Sequence, residues 1–360
     1  MQNPSEAHTP QIQRYARQRV FAPIGAAGQA QLLAARVAIV GCGALGTHLA
    51  DMLARAGVGR LILIDRDIVE WSNLQRQVLF DEADAQAATP KALAAAARLR
   101  QINSDITIDP RVLDLDGEAA RTLVEEVDLV LDGSDAFETR YLINDACVEA
   151  GIPWIYSAVV GADGMTMNCH TPINADARTP CLRCVWPDPM PPGTAATCDT
   201  VGVLNGAVSM VTGMAATEAL KILLGSASVS QDLRSFSLWD DVFDSITLAR
   251  DPACPTCARH QFDWLDGTAA QALVQLCGQD TIQVRPERPI GASGPLTLDL
   301  PAITARWEAL GEMLLADGAA FARLRIAPYE ITLFPDGRAL IRGTSDMAIA
   351  RSLYARYVGM

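Results

Sequence analysis

Three glycines, Gly41-x-Gly43-x-x-Gly46, follow directly on the apolar run Val37-Ala-Ile-Val40 and open a helical pattern marked by Leu49, Met52 and Leu53. Strand, tight turn and helix in that order bring backbone N–H groups and the positive end of a helix dipole up to a phosphate. Asp65 closes the next apolar run, residues 61–64, where a carboxylate accepts hydrogen bonds from ribose hydroxyls. Together these residues specify a nucleotide without saying which one. A dinucleotide is the usual ligand of such a loop, and a glycine turn that binds nothing is the plain structural alternative.

The next segment narrows the chemistry. Asp67-Ile-Val-Glu-Trp-Ser-Asn73-Leu-Gln-Arg76-Gln77, followed by Lys91, brings an amide, a guanidinium and an ammonium into the second crossover. A redox cofactor does not require that set, whereas reaction at the α-phosphate of ATP does. Charge develops on the phosphoryl oxygens as the bond to pyrophosphate breaks, and fixed cations stabilise it. Asp135, in Leu-Asp132-Gly-Ser-Asp135, stands at the end of the 129–131 strand, where ligands bind in such sheets, and is placed to hold Mg²⁺. Singly each residue is an ordinary surface charge or cap; as an ordered set on one sheet edge they describe a site.

Four of the nine cysteines form two C-x-x-C pairs, Cys181-Leu-Arg-Cys184 and Cys254-Pro-Thr-Cys257. Four thiolates make a tetrahedral set for structural Zn²⁺, which would staple the loop after the main sheet to the end of the domain. Two unrelated pairs, or one redox C-x-x-C, are the alternatives. Neither pair opens a helix after a strand as a thioredoxin-like motif would, so zinc is the expected reading. Cys42, Cys147, Cys169 and Cys277 read as core residues, and His48, His170 and His260 as structural.

The elements that must position these groups alternate. Apolar runs at 37–40, 61–64, 106–108, 129–131 and 154–156 alternate with helical patterns at 91–102, 117–126 and 138–150. That pattern predicts an α/β fold, a Rossmann-like doubly wound and mostly parallel sheet. A strand is expected at 165–170, a long loop at 171–203, an apolar helix at 204–224, and strands near 233–239 and 244–249. From about 268 a small α/β domain is expected: helix 268–277, strand 280–285, helix 300–315, strands near 321–326, 328–333 and 337–342, and helix 345–357. The boundaries are thus residues 1–36, an N-terminal helical arm; 37–262, the zinc-stapled main domain; and 268–360, the small domain.

Composition excludes several classes. Of 360 residues, Lys and Arg total 29 against 42 Asp and Glu, a net charge of −13. A chain-wide basic surface for nucleic acid or anionic membrane is ruled out, so any anion must meet a local cationic cluster. The polar start, Met1 to Gln13, lacks the basic and apolar regions of a secretory signal, and Glu218 and Lys221 interrupt the most apolar stretch. With its C-x-x-C pairs the chain is expected in a reducing cytoplasm, away from membranes.

Arg14-Tyr-x-Arg17-Gln, the Gly41–Gly46 loop, Asp65-x-Asp67, Asn73-Leu-Gln-Arg76-Gln77, Pro90-Lys91, Asp132 to Asp135 and the paired cysteines resemble the ThiF/MoeB family of adenylyltransferases over residues 11–262. The stretches 138–145 and Ala-Thr-Cys198-Asp-Thr look closer to the ThiF branch. The resemblance implies ATP-dependent adenylylation of the Gly-Gly carboxylate of a small ubiquitin-fold sulfur carrier. By motif position it implies that Asp65 holds the ribose; that Asn73, Arg76 and Lys91 hold the phosphates, with Asp67 and Gln77 in the same nucleotide site; and that Asp135 holds Mg²⁺. It implies further that Arg17 reaches into a neighbouring subunit of a homodimer, and that Cys198 can link covalently to the carrier during sulfur transfer from a donor protein. A ThiS-like carrier of thiamin biosynthesis is the first expectation and a MoaD-like carrier of molybdopterin synthesis the second. An NAD-dependent oxidoreductase, resting on Gly41–Gly46 and Asp65 alone, and a non-catalytic scaffold are the readings from other classes. Ala88, Ala136 and Ser157-Ala158 depart from the family pattern, Ala136 removing one polar contact. The small domain lacks the cysteine loop of a rhodanese and is assigned to carrier docking or dimer support.

Overall fold

The computed structural model describes residues 13–175, 177–189, 198–267, 281–284, 297–318 and 321–359. The chain divides into two compact units, Met1–Ala270 and Gln271–Met360. In the first, eight strands form one sheet in the order β3-β2-β1-β4-β5-β6-β7-β8. They are β1 (Arg36–Val40), β2 (Arg60–Ile64), β3 (Thr107–Arg111), β4 (Leu129–Asp132), β5 (Trp154–Val160), β6 (Asp163–Cys169), β7 (Asp232–Ser237) and β8 (Val242–Thr247). The first five run parallel, as the alternation of strands and helices predicts, and the last three continue the sheet antiparallel. β3 runs further than its apolar run because it is the sheet's edge, where Pro110 removes no ladder bond that matters.

The helices of this unit include α1 (Ala16–Val20), α2 (Gly25–Ala34), α3 (Ala44–Ala56), α4 (Lys91–Ile102), α5 (Gly117–Glu125), α6 (Phe137–Ala150), α7 (Leu182–Val185) and α8 (Asn205–Leu223), with further short helices at Glu82–Ala87 and Cys198–Val201. Parallel strands covered on both faces are apolar throughout, and β1 is buried from Val37 to Val40. Alternate side chains supply two cores. Val37, Ile39, Leu61, Leu63, Leu129 and Leu131 face α3, α4 and α8. Ala38, Val40, Ile62, Ile64 and Val130 face α5 and α6.

Glu218, which interrupts the apolar stretch, is buried in α8 and fully used. It accepts from Asn168 Nδ2 at 2.8 Å, Ser230 N–H at 2.9 Å and Lys221 Nζ at 2.8 Å, and pairs with Arg234 at 3.2 Å. One carboxylate therefore ties α8 to β6 and β7. Among the described residues no helix is long and apolar enough to cross a membrane.

The second unit is an antiparallel sheet in the order β10-β11-β12-β13-β9, built from β9 (Thr281–Val284), β10 (Met313–Asp317), β11 (Ala322–Ile326), β12 (Tyr329–Leu333) and β13 (Ala339–Arg342), with helices α9 (Leu300–Ala309) and α10 (Met347–Tyr357). Its core is Trp307, Leu324, Ile331, Leu333, Ile341 and Tyr354. The helix expected at 300–315 stops at Ala309, because Gly311 takes φ +75° and turns the chain into β10. The helix expected at 268–277 lies outside the described residues.

The donors around Glu218 outweigh its burial and hold its carboxyl below the ordinary value of 4.5. A depressed carboxylate contributes stability above its unfolded pKa that is lost as pH falls through the folded one. Glu218→Ala is expected to cost about 3–5 kcal/mol at neutral pH by stranding buried donors. Thermal unfolding is expected to show the gap from wild type narrowing below pH 4.5; a gap independent of pH would contradict the role.

Candidate active site

The nucleotide loop is set by three backbones in contact. Gly41 has φ +92°, and a Cβ there would lie 2.6 Å from the carbonyl oxygen of Gly133. A Cβ on Gly46 would run into the carbonyl of Gly41, and one on Gly133 into that same oxygen. The loop after β1, the start of α3 and the loop after β4 are thereby packed backbone to backbone. Gly43 differs, since a Cβ at that position meets nothing closer than 3.9 Å. It is the N-cap of α3 and offers no side chain to the first turn, so the open space sits over the helix's N–H groups.

Asp65 joins this loop to the next segment. Its Oδ2 accepts the Cys42 N–H at 2.6 Å and its Oδ1 the Asp67 N–H at 2.7 Å. Burial pushes its carboxyl up, and Lys91 draws it back. The Lys91 backbone N–H donates to the Asp67 carbonyl at 2.8 Å, and its Nζ is 3.5 Å from Asp67 Oδ2. Burial works against the Lys91 charge, but Asp67, Asp65 and Asp135 together leave its pKa raised. One ammonium is thus within electrostatic reach of three carboxylates. Their excess negative charge suits a divalent cation bound with an anionic substrate.

Asn73 closes a one-turn 3₁₀ helix, Trp71–Asn73. Its Oδ1 accepts the Glu70 N–H at 3.0 Å and the Glu70 side chain accepts in return. Arg76 is half-buried and donates to the Ser72 carbonyl at 2.8 Å. Gln77 is buried. Its Nε2 is 4.0 Å from where a Gly43 Cβ would lie, and its Oε1 has no hydrogen-bond partner among the described residues. A buried amide oxygen left without a donor calls for a partner from outside the described residues.

Asp135 is exposed on a braced loop. Asp132, fully buried, accepts the Ser134 N–H at 2.9 Å and the Arg140 Nε–H at 2.9 Å. Arg140 also donates to the Ser134 carbonyl at 2.9 Å, and its guanidinium lies 5.2 Å from the Tyr156 ring centre. Reasoning from sequence missed Arg140. The available signal was an acid ending a buried strand with an arginine eight residues on, in the first turn of the next helix. Ala136, where a polar contact is absent, is the N-cap of α6 without a side-chain cap, and Ala88 holds φ +50°, which explains why glycine suits that position.

Arg17 is not brought to this group. Arg14 donates to Asp105 at 3.1 Å and to the Ile102 carbonyl at 2.9 Å; Asn103 donates to Tyr15 Oη at 2.7 Å; Gln18 donates to the Ala56 carbonyl at 2.8 Å. These partners lie at or just beyond the C-terminal ends of α3 and α4, whereas the glycine loop and Lys91 lie at their N-terminal ends. A helix of that length spans about 20 Å. Cys198 opens a helical turn, Cys198–Val201, and its side chain lies outside what the structure describes. The end of that loop is fixed beside β5, as Gly161 N–H donates to the Gly202 carbonyl at 2.9 Å.

The four paired cysteines do meet, all four Sγ atoms lying within 4.8 Å of one another. The separations are 3.9 Å for Cys181–Cys184, 3.5 Å for Cys181–Cys254 and 3.4 Å for Cys184–Cys257. Tetrahedral Zn–S bonds of about 2.3 Å set sulfurs about 3.8 Å apart, so the set fits zinc. Helix α6 holds both halves. Asn144 accepts the Leu182 N–H at 2.8 Å, and Asp145 accepts from Thr256 Oγ1 at 2.9 Å. Burial raises the thiol pKa of Cys42, Cys147 and Cys169, in keeping with core roles, while Cys277 lies outside the described residues.

A model described as the ThiF family matches residues 15–256. "Sulfur carrier protein ThiS adenylyltransferase" of Bacillus subtilis (strain 168) is 41% identical over 348 residues, covering 96% of this chain and 99% of that protein. "Sulfur carrier protein adenylyltransferase" of Thermus thermophilus is 38% identical over 248 residues, 69% of this chain and 91% of that one. Among solved structures, "Crystal structure of E. coli MccB + ATP" superposes with a TM-score of 0.57 at 24% identity, over 71% of this chain and 76% of that chain, a likeness of fold.

Proposed function

The chain belongs to the ThiF family, and from that premise we propose that it adenylylates the C-terminal Gly-Gly carboxylate of a small ubiquitin-fold sulfur carrier of the ThiS type. The observation that carries this reading is Lys91 set among Asp65, Asp67 and Asp135, beside the open N-terminus of α3. A carrier carboxylate oxygen attacks the α-phosphorus of ATP. The bond from that phosphorus to the bridging oxygen breaks, and pyrophosphate leaves with the electron pair. Asp65 holds the ribose, the glycine loop the phosphate chain, and Lys91, Arg76 and Asn73 the oxygens on which charge grows, with Gln77 in the same nucleotide site. Asp135 would hold Mg²⁺, which neutralises the leaving pyrophosphate. A dehydrogenase reading uses the glycine loop and Asp65 and gives Lys91 and Asp135 no task. A MoaD-type carrier is the second reading.

Pyrophosphate–ATP exchange that appears only with a Gly-Gly-ending carrier is the direct test, run with ThiS-type and MoaD-type carriers in parallel. Lys91→Ala is expected to lower the rate about 10²–10³-fold. Exchange indifferent to any carrier would defeat the proposal.

The anchoring of α1 far from its own glycine loop supports an Arg17 that acts in a second copy of the chain. Val20 and Phe21, the adjoining residues of that arm, are 79% and 60% exposed and available to a partner surface. Mixing inactive Arg17→Ala and Arg76→Ala chains is expected to restore about a quarter of wild-type activity, because half the dimers carry one intact site. If Arg17 serves its own chain, the mixture stays inactive.

We assign structural Zn²⁺ to Cys181, Cys184, Cys254 and Cys257. Elemental analysis of the purified chain is expected to give about one zinc per chain, and Cys181→Ser to lose the metal and lower the thermal midpoint. Full stability without metal would refute the assignment.

A further inference from the structure

Phosphates at the glycine loop and ribose at Asp65 leave the base unaccounted for. We propose that Arg66, held edge-on by Asp114, is the platform on which the purine of the nucleotide stacks, and so a specificity-determining residue. This rests on the nucleotide reading of Gly41–Gly46 and Asp65.

Direction comes from the sheet order. With β3-β2-β1-β4, a ligand that starts at the end of β1 and has its ribose at the end of β2 carries its base on over the end of β3. Phosphate and base leave the sugar from opposite sides, and neighbouring strands stand about 4.8 Å apart. The residues that meet it there are Arg66, immediately after Asp65, and the segment that follows β3. The two ends are in contact, since the Asp65 N–H donates to the Arg111 carbonyl at 3.2 Å.

Arg66 is built to present a flat face. Its Nη1 donates to Asp114 Oδ2 at 3.1 Å, and its Nε lies 3.8 Å from Asp67 Oδ1. One hydrogen bond and one longer ion pair tether the guanidinium, and the side chain keeps 20% of its surface open. A pinned, weakly hydrated guanidinium stacks well on an aromatic ring. Asp114 is itself only 14% exposed, so the carboxylate that tethers Arg66 is largely shielded from water. Asp67 is shared with Lys91, so Asp114, Arg66, Asp67 and Lys91 form a run of alternating charge from the base end to the phosphate end.

Calorimetric titration of the full chain, in Mg²⁺, with ATP, UTP and inorganic tripolyphosphate separates the base from the phosphates. Arg66→Ala is expected to weaken ATP about tenfold, to narrow its preference over UTP, and to bind tripolyphosphate as wild type does. Arg66→Lys, which lacks the plane, is expected to stay close to Arg66→Ala. Asp114→Asn, which loosens the tether, is expected to fall between. In the exchange assay the KM for ATP is expected to rise in the same order. An Arg66→Ala chain that binds ATP like wild type, or that loses ATP and tripolyphosphate equally, overturns the proposal and leaves the adenylylation reading standing. A wild-type chain that binds tripolyphosphate but shows no preference for ATP over it overturns the base platform as well. A wild-type chain that binds none of the three ends both.

Discussion

The Asp65 carboxylate accepts one backbone N–H from each of two segments of the candidate site, Cys42 on one side and Asp67 on the other. Burying a carboxylate is costly unless its lone pairs are used and a positive charge is near. Here two N–H donors and Lys91 meet that requirement, and all come from the site itself. The group that would hold the ribose is also the joint that sets the glycine loop against the crossover. Geometry elsewhere follows from it: Asp67 takes its place from Asp65, and Lys91 takes its place from the Asp67 carbonyl.

Charge in the candidate site is graded by burial. Asp132 is wholly buried, and its charge is matched at once by Arg140 in a pair that shapes the Gly133–Asp135 loop. Asp135 is exposed on the loop so shaped, open to a cation. Two acids three residues apart in one motif thus face opposite ways, one into the protein and one out to solvent. The net charge of −13 does not conflict with an anionic substrate, because the cations that matter are few and placed.

The sequence made much of this legible, for identifiable reasons. Continuous apolar runs that end at Val40 and Ile64 can only be strands covered on both faces, and strand, glycine loop and helix in succession place the site on the carboxyl edge. The cysteines were legible because four thiols at paired spacing have few other uses. What could not be read was whatever depends on contacts distant in sequence. Arg140 is marked only by an acid at a strand end eight residues before it, and Asn144 and Asp145 brace the cysteine pairs from a helix with no cysteine of the set. The strands β6, β7 and β8 were expected close to where they lie, but their antiparallel direction was not, because direction is fixed by how connections pack. The remote anchoring of α1 depends on Asn103 and Asp105, about 90 residues away from the arm they hold.

Helix α6 carries Arg140 against the Gly133–Asp135 loop and, one turn later, Asn144 and Asp145 against the two cysteine pairs. The rise between them is about 6 Å. The cysteine staple and the candidate site therefore share a single beam. A grafting experiment that transplants the nucleotide loop onto another sheet would have to bring the cysteine staple with it. In an evolving lineage the two would be inherited as one module, since a change that shifts the beam is felt at both ends.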